Sequence, residues 1–286
     1  MDAGSDVGRE QAALWNGAAG HAWVDGQDML DRLYQPFEPF LVEPMAVGGR
    51  AHVLDVGCGT GAITRGIARR LASPGRAVGV DISEPMIAAA RALADREGVP
   101  AHFIVGDAQV HAFEPASVDA IVSRFGVMFF ADPVAAFANL RRAASAGATL
   151  RCIAWRSAAE NGFMTTAERA AAPLLPDLPP RKPGPGQFAF ADAGRVRTIL
   201  DAGGWTDIDL QPIDVVCTMP EGELEPYLTR LGPVGMALSG VDEATRARVI
   251  AAVRAAFDSF VEGPEVRFTA ACWLVSARAG SGPPAA

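Results

Sequence analysis

Over residues 51–157, short apolar runs rich in β-branched side chains alternate with longer stretches whose apolar positions recur every three or four residues. The short runs predict strands, and the longer stretches predict amphipathic helices. The predicted strands are residues 53–56, 77–80, 102–105, 120–123 and 149–155, and the predicted helices are residues 62–71, 85–97 and 133–144. Because strands that alternate with such helices are joined by right-handed crossovers, this pattern predicts a doubly wound α/β fold with a parallel sheet.

The pattern changes after residue 157. A helix is predicted over residues 158–175, and the prolines at 176, 179, 180, 183 and 185 then predict a loop or lid, because proline interrupts a helix. The later elements are a helix over 192–202, a strand over 205–218, helices over 221–238 and 242–260, and a final strand over 266–278. The second half of the chain therefore combines a few strands with a large helical portion.

The first predicted strand leads into a glycine-spaced turn, residues 55–61, with the sequence Asp-Val-Gly-Cys-Gly-Thr-Gly. Glycine lets a ligand approach the main chain, and the amides that begin the following helix favour an anionic group. The spacing Gly57-x-Gly59-x-x-Ala62 also satisfies a relaxed dinucleotide pattern, which is weak evidence alone. Asp55 favours a cofactor with an ammonium and a sulfonium, because a carboxylate repels a pyrophosphate.

Asp81 ends the second predicted strand about twenty residues after the turn, where a carboxylate can bind the two hydroxyls of a ribose in either cofactor class. Gly106-Asp107-Ala108 follows the third strand, and residues 119–123 form a fourth motif. This ordered set resembles the class I S-adenosylmethionine-dependent methyltransferases, in particular the small-molecule branch that includes ubiquinone-type methyltransferases. The resemblance covers roughly residues 50–157.

The resemblance implies a Rossmann-like, seven-stranded sheet with an antiparallel last strand, and we assign residues 208–217 and 267–277 to its last two strands. It also implies a division of the chain. We expect a helical lid over residues 1–50, a cofactor-binding core over 51–157, and the rest of the core in 158–286, at about 192–218 and 265–279. Cap insertions at about 158–190 and 220–263 would cover the substrate pocket.

The same resemblance implies roles for individual residues. The glycine turn would contact the methionine part of S-adenosylmethionine, Asp81 the ribose, and Asp107 the adenine amino group. The residues expected at this cofactor and its product, S-adenosylhomocysteine, are Asp55, Gly57, Cys58, Gly59, Gly61, Asp81, Ile82, Met86, Gly106, Asp107, Ala108, Gln109 and Arg124. Arg124 could instead pair with an anionic acceptor, or bridge Asp107 or Asp132.

The acceptor pocket is expected to include Trp15, Trp23, Phe125 and Met128. Trp15 and Trp23 are two helical turns apart, so both could line one face of an N-terminal helix, or that helix could simply pack on the core. Catalysis of methyl transfer depends mainly on positioning the acceptor in line with the methyl–sulfur bond. A general base is needed only when the acceptor is a hydroxyl, a protonated amine or a carbon acid. The candidate bases are His21, His111, Glu160, Tyr34 and Tyr227, and the sequence does not choose among them.

Composition narrows the range of partners. The net charge of −8 and the pI near 5.1 argue against a nucleic-acid surface. No apolar run has the length of a membrane helix, and no secretion signal begins the sequence. The four cysteines lie far apart without metal-ligand spacing, which indicates reduced thiols and no metal. We therefore expect a cytoplasmic monomer or homodimer with a small-molecule acceptor and no membrane partner.

Together these features predict a methyltransferase acting on an O, N or C atom of a small metabolite, in bacterial secondary or quinone-like metabolism. Two alternatives stay open. A methyltransferase fold repurposed as a cyclase or regulator would carry the same cofactor motifs. A nicotinamide-dependent oxidoreductase is disfavoured by Asp55 and by the lack of a Tyr-x-x-x-Lys pair, since Lys182 is the only lysine.

Overall fold

The computed structural model of the chain describes residues 3–46, 51–181 and 183–280, so Lys182 and residues 47–50 of the predicted lid lie outside the described residues. The strands are β1 (His52–Val56), β2 (Arg76–Asp81), β3 (Ala101–Val105), β4 (Val118–Arg124), β5 (Ala144–Trp155), β6 (Trp205–Pro220), β7 (Val261–Glu262) and β8 (Glu265–Ala279). The helices are α1 (Ala3–Asn16), α2 (Ala18–Asp25), α3 (Gln27–Tyr34), α4 (Glu38–Val42), α5 (Ala62–Ala68), α6 (Glu84–Glu97), α7 (Pro133–Ala143), α8 (Gly162–Ala171), α9 (Ala193–Ala202), α10 (Leu224–Arg230), α11 (Gly232–Ala237) and α12 (Glu243–Ala256).

All eight strands of the described residues belong to one sheet, in the order β3-β2-β1-β4-β5-β8-β6, with β7 paired to β8 outside this path. The pairings among β1 to β5 are parallel. By contrast, β8 runs antiparallel to both of its long neighbours, β5 and β6. The predicted doubly wound sheet with an antiparallel last strand is confirmed, and the two-residue β7 adds a short eighth strand.

The chain that forms the cap helices α10 to α12 lies between two long paired strands, β6 and β8. The ladder of these strands pairs Trp205 with Ala279 at one end and Pro220 with Glu265 at the other, so both strands are longer than predicted. The chain between them forms α10, α11 and α12, and α12 packs against α8. Phe163 of α8 meets Phe257, the residue after α12, edge-to-face at 5.0 Å, and its ring stacks on Phe268 of β8 at 3.8 Å. The two predicted cap regions therefore pack together on the sheet.

Two predicted helices are shorter or broken in the structure. The helix predicted over 158–175 begins only at Gly162, because the Asn161 side chain before it binds the sheet instead. Its amide nitrogen donates to the Ala271 carbonyl at 3.0 Å, and its oxygen accepts from the Ala271 amide at 2.9 Å. The helix predicted over 221–238 divides at Leu231 into α10 and α11, since Pro233 disfavours a helical conformation just before it.

The N-terminal segment is a series of short helices rather than the single helix predicted. The chain turns at Gly17 and again at Gly26, between α1, α2 and α3. The apolar side of α3 is buried, including Leu33 and Tyr34. Because α2 packs against α6 and α3 packs against β6, this segment lies against elements from both halves of the sheet.

The four cysteines are free, and three of them are packed in strands. Cys152, Cys217 and Cys272 are buried, and Cys58 is half-buried. Removal from water disfavours a thiolate, so burial raises the pKa of Cys217 to about 12 and raises those of the other three above their usual value. The predicted reduced, packed thiols agree with this arrangement.

Candidate active site

A cavity of about 470 Å³ opens at the carboxyl ends of β1, β2, β3 and β4. Its walls come from the turns after these strands, from α1, α2 and α3, and from the cap helices α8, α10 and α11. Open α/β sheets bind ligands at this edge, because the strand ends leave free backbone groups and a crevice there. We call the part lined by residues 55–60, 80–82 and 106–109 the cofactor end, and the ring-lined part formed by Tyr34, Phe125, Trp155, Phe163 and Tyr227 the aromatic wall.

The glycine turn is pressed against the turn that follows β4. Gly57 and Gly59 have φ values of 64° and 54°, in the left-handed region that glycine adopts without strain. A Cβ atom on Gly57 would lie 2.6 Å from the Gly126 Cα, and one on Gly126 would lie 2.6 Å from the Gly57 Cα. Gly126 was not predicted as a site residue, since nothing in its local sequence shows that two backbones meet there.

Asp81 holds the glycine turn as well as facing the cavity. One carboxylate oxygen accepts the Gly59 amide at 2.8 Å, and the other accepts the Ser83 amide at 2.9 Å. Burial raises the pKa of Asp81, and these amide hydrogen bonds oppose that effect. Two backbone amides therefore hold the carboxylate of Asp81, the residue predicted to bind the ribose.

Asp55 is 2% exposed and also lines the cavity. Its carboxylate accepts a hydrogen bond from the Thr64 hydroxyl at 2.7 Å. Burial raises its pKa to about 6, although Thr64 and the charge of Arg124 oppose this. No direct ion pair joins Asp55 to an arginine in the described part of the chain. A buried carboxylate without a direct cationic partner suits a cationic ligand group.

The turn after β3 brings Gly106, Asp107, Ala108 and Gln109 to the cofactor end, as predicted. Asp107 accepts the Gln109 amide at 2.9 Å, so the Gln109 amide is already satisfied within the turn. The Gln109 side chain accepts the Asp132 amide at 2.9 Å. The Ala108 carbonyl accepts from the Asn139 side chain at 2.9 Å, which ties the turn to α7.

Arg124 does not bridge Asp107 or Asp132, which was one of its predicted alternatives. Its guanidinium donates to the Tyr34 carbonyl at 3.2 Å and lies 5.8 Å from the centre of the Tyr34 ring. Burial lowers the pKa of Arg124, while the charges of Asp31 and Asp55 oppose this. Arg124 therefore places a half-buried positive charge beside Tyr34 of the aromatic wall.

Phe125 begins the aromatic wall in a strained conformation, with a φ of 66° that side chains other than glycine rarely adopt. Its ring stacks on Trp155 at 4.6 Å and meets Tyr34 edge-to-face at 5.5 Å. Met128 is buried and lines the cavity, and its sulfur accepts the Trp155 amide at 3.4 Å. The predicted pocket residues Phe125 and Met128 thus share one wall.

Trp15 and Trp23 both line the cavity, but they do so from different helices, since α1 ends at Asn16. Their rings meet edge-to-face at 6.2 Å, and Trp15 also meets Phe129 at 5.1 Å. The prediction that both lie on one face of a single helix is wrong, because Gly17 breaks it. The side chains of Ile82 and Met86 complete this part of the lining, as predicted.

Gly61 lies behind the turn, outside the cavity lining. It precedes α5 with a φ of 80°, and a Cβ atom there would lie 2.6 Å from the Phe103 ring. The place where its side chain would be is therefore filled by the protein core. The structure brings the other predicted cofactor residues together at the cavity and leaves Gly61 to fix the start of the helix.

Three of the candidate bases also lie outside the lining. His21 is exposed, and its Nδ1 lies 2.9 Å from the Gly17 carbonyl oxygen. His111 packs edge-to-face on Phe113, with ring centres 4.6 Å apart. Glu160 accepts hydrogen bonds from Ser157 and Arg156. None of these three side chains faces the cavity.

The remaining two candidates, Tyr34 and Tyr227, are the only tyrosines of the chain, and both line the cavity. Burial raises the pKa of Tyr34 well above its usual value and that of Tyr227 to about 12. Both phenols are therefore protonated at neutral pH, and they can donate hydrogen bonds but not act as bases.

Other lining residues were not found from the sequence. Trp155 and Phe163 contribute rings to the aromatic wall, and Gln11 reaches the cavity from α1. The Gln11 side-chain oxygen is buried without a hydrogen-bond partner. Since these residues lie on elements far apart in the chain, no local motif could identify them.

Over residues 3–46, 51–181 and 183–280, no group of three or more His, Cys, Asp or Glu side chains is arranged to hold a metal ion. Among the described helices, none has both the length and the apolar composition needed to cross a membrane.

Comparison with known proteins identifies a methyltransferase domain in part of the chain. Residues 53–147 match the family model of a methyltransferase domain. An uncharacterised protein of Mycobacterium tuberculosis is 29% identical over 153 residues, covering 53% of this chain and 55% of that protein. A demethylmenaquinone methyltransferase of Roseiflexus castenholzii is 36% identical over 124 residues, covering 43% of this chain and 50% of the relative. The chain thus spans about half the length of these curated relatives.

The fold has matches among solved structures. The crystal structure of the YcgJ protein of Bacillus subtilis matches 86% of this chain and 98% of its own, with a TM-score of 0.56 and 15% identity. At this identity the likeness shows the fold alone. Residues 53–147 thus carry a methyltransferase domain, and the four ordered motifs resemble those of the class I S-adenosylmethionine-dependent methyltransferases, whose cofactor is S-adenosylmethionine.

Proposed function

We propose that this protein methylates a small, largely apolar, ring-containing metabolite, in secondary or quinone-like metabolism. The observation that carries the proposal is a single cavity that joins the cofactor end to the aromatic wall. The cap and the N-terminal helices contribute to its lining, so both substrates would meet in one enclosed space. The demethylmenaquinone methyltransferase among the relatives agrees with a ring-containing acceptor.

The residues present fit the cofactor. The open side-chain position of Gly59 lets a ligand reach the backbone, and Asp55 offers a buried carboxylate for an ammonium or sulfonium. Asp81 would bind the ribose, and Asp107 would bind the adenine amino group. When bound, S-adenosylmethionine supplies a methyl group activated by its sulfonium. The acceptor atom gains this methyl, and the carbon–sulfur electron pair stays on the sulfur of the departing S-adenosylhomocysteine.

The protein's own contribution is alignment and exclusion of water. Phe125 and Trp155, stacked at 4.6 Å, offer a flat surface for an acceptor ring. A fixed orientation matters because methyl transfer requires the acceptor atom in line with the breaking carbon–sulfur bond. The cap residues Phe163 and Tyr227 belong to the same lining and would help to keep water from the acceptor.

Calorimetric titration with S-adenosylhomocysteine, beside an identical titration with NADH, tests the cofactor assignment in the intact protein. Micromolar binding of S-adenosylhomocysteine alone is expected. The purified protein, incubated with S-adenosylmethionine and a panel of phenols, hydroxyquinones and amines, is then expected to release S-adenosylhomocysteine with a ring-containing member. Binding of NADH alone would refute the proposal. Cofactor binding with no transfer to any member would favour a repurposed fold.

A further inference from the structure

The polar groups of the aromatic wall are hydrogen-bond donors. Tyr34 and Tyr227 both line the cavity, one from the N-terminal segment and the other from the cap. Their side chains interact with each other. Arg124 adds a cation 5.8 Å from the Tyr34 ring centre. The wall therefore presents two hydroxyl groups beside a positive charge.

The Tyr227 proton has only a weak partner. Its hydroxyl oxygen lies 3.7 Å from the Met164 sulfur, and a thioether is a poor acceptor. The proton of the Tyr227 hydroxyl is therefore available to a better acceptor. A ligand oxygen that replaced the sulfur would receive this hydrogen bond.

The other charged groups that face the cavity are placed elsewhere. Asp55, Asp81 and Asp107 lie at the cofactor end, where the Thr64 hydroxyl and backbone amides donate hydrogen bonds to them. The charges of Asp31, Asp55 and Glu38 act on Arg124. Glu168 is paired with Arg181 at 2.6 Å, and Arg230 is an exposed residue of the lining.

The thiol that interacts with both tyrosines is neutral. Cys217, which interacts with both tyrosines, is an uncharged thiol because burial raises its pKa to about 12. No histidine belongs to the lining. The aromatic wall is therefore suited to stabilise an anion and lacks a group to remove a proton.

We propose that Tyr34 and Tyr227, with Arg124 beside them, bind an ionisable oxygen of the acceptor and hold it as its anion, which defines the acceptor as a phenol, an enol or a hydroxyquinone. This inference rests on the proposed function. The acceptor proton leaves to solvent before transfer, since the donors and the cation lower the pKa of the bound acceptor. Methylation of such an anion requires no general base.

A coloured probe tests this directly. 4-Nitrophenol ionises near neutral pH, and nitrobenzene differs from it by the missing hydroxyl. Both are titrated into the protein saturated with S-adenosylhomocysteine, and the absorbance of bound nitrophenolate against pH gives the ionisation constant. The wild type should bind 4-nitrophenol more tightly than nitrobenzene and should raise its ionisation constant about tenfold over that of the free probe.

The variants Tyr227→Phe and Tyr34→Phe keep the rings and remove the donors. Each should return the ionisation constant toward that of the free probe, by about tenfold for Tyr227→Phe, without changing the affinity for S-adenosylhomocysteine. Thr229→Val is the matched control, because its hydroxyl also lies on α10 but bonds to the Glu225 carbonyl outside the lining. This control should behave as the wild type.

The possible negative results of this experiment refute different statements. If the wild type does not bind S-adenosylhomocysteine, the proposed function fails and this inference falls with it. If S-adenosylhomocysteine binds but 4-nitrophenol binds no more tightly than nitrobenzene, the donor pair is refuted while the proposed function stands. An unchanged ionisation constant in Tyr227→Phe refutes it equally.

Discussion

Asp55 is the carboxylate through which pH is expected to control cofactor binding. Burial at the end of β1 raises its pKa to about 6, because the low-dielectric interior disfavours its charge. S-Adenosylhomocysteine carries an ammonium group, which favours the ionised carboxylate. The ionised protein should therefore bind more tightly, so that affinity increases as the pH rises through about 6.

The size of the effect follows from this pKa of about 6. At about pH 5, roughly one Asp55 in eleven is ionised, whereas nearly all are ionised at about pH 7.5. If only the ionised form binds, the dissociation constant should increase about tenfold on going to pH 5, which corresponds to ~1.4 kcal/mol. The variant Asp55→Asn keeps the shape and an acceptor oxygen for the Thr64 hydroxyl, and its affinity should be weaker at pH 7.5 and independent of pH.

Calorimetric titration of both proteins with S-adenosylhomocysteine between about pH 5 and 7.5 checks this expectation. Circular dichroism at each pH establishes that the proteins are folded. Asp81 is the neighbouring acid whose pKa is also raised by burial. If Asp55→Asn keeps the wild-type pH dependence, the titrating group is not Asp55, and a wild-type change below about twofold would refute the reasoning altogether.

The same variant also gives a stability test in the absence of cofactor. The folded pKa of Asp55, about 6, is above its ordinary value of 3.8, so the folded state binds the proton more tightly than the unfolded state. The contribution of Asp55 to stability is therefore largest below its ordinary pKa and is lost as the pH rises to about 6. At pH 7, Asp55→Asn should increase the free energy of unfolding by about 1 to 3 kcal/mol, and a decrease would contradict the assigned burial cost.

Two further predictions concern the backbone of the site. Asp81→Ala should weaken S-adenosylhomocysteine binding by roughly 1.5 to 3 kcal/mol and also lower the free energy of unfolding, because two backbone amides lose their acceptor. The control Asp95→Ala, at an exposed position, should change neither quantity. Unchanged affinity in Asp81→Ala would remove Asp81 from the site. Gly126→Ala should abolish measurable cofactor binding and reduce the melting temperature, since its Cβ would lie 2.6 Å from the Gly57 Cα. Gly222→Ala is the control, because a Cβ atom there would have no other atom within 4 Å. Wild-type binding by Gly126→Ala would show that the two turns are not in contact.

Strands were predicted well because their pattern is local and chemically distinct. The five parallel strands follow apolar, β-branched runs bounded by glycine or acidic residues, and each was placed within a few residues except β5, which begins five residues early. Helix ends were less certain where a long-range contact decides them. The start of α8 depends on Asn161, whose side chain bonds to Ala271 more than a hundred residues later.

The cofactor end was largely predicted because it is built from consecutive residues. Asp55, Gly57 and Gly59 adjoin in sequence, and Asp81 follows the neighbouring strand, so parallel pairing of β1 with β2 suffices to bring them together. Gly61 shows the limit of this reasoning. Its place in the motif suggested a ligand contact, but the Phe103 ring occupies that side.

The sequence by itself predicted the fold class, the cofactor motifs and the edge of the sheet where these motifs meet, because these follow from periodicity and from motifs of a few adjacent residues. Only the tertiary structure showed the ring-lined cavity on which the proposed acceptor chemistry rests. Tyr34, Phe125, Trp155 and Tyr227 come from four separate elements, and their meeting depends on how the N-terminal helices and the cap pack on the sheet. The same packing buries Tyr34 and half-buries Tyr227, which raises the pKa of both phenols and favours donors over the bases that the sequence left open.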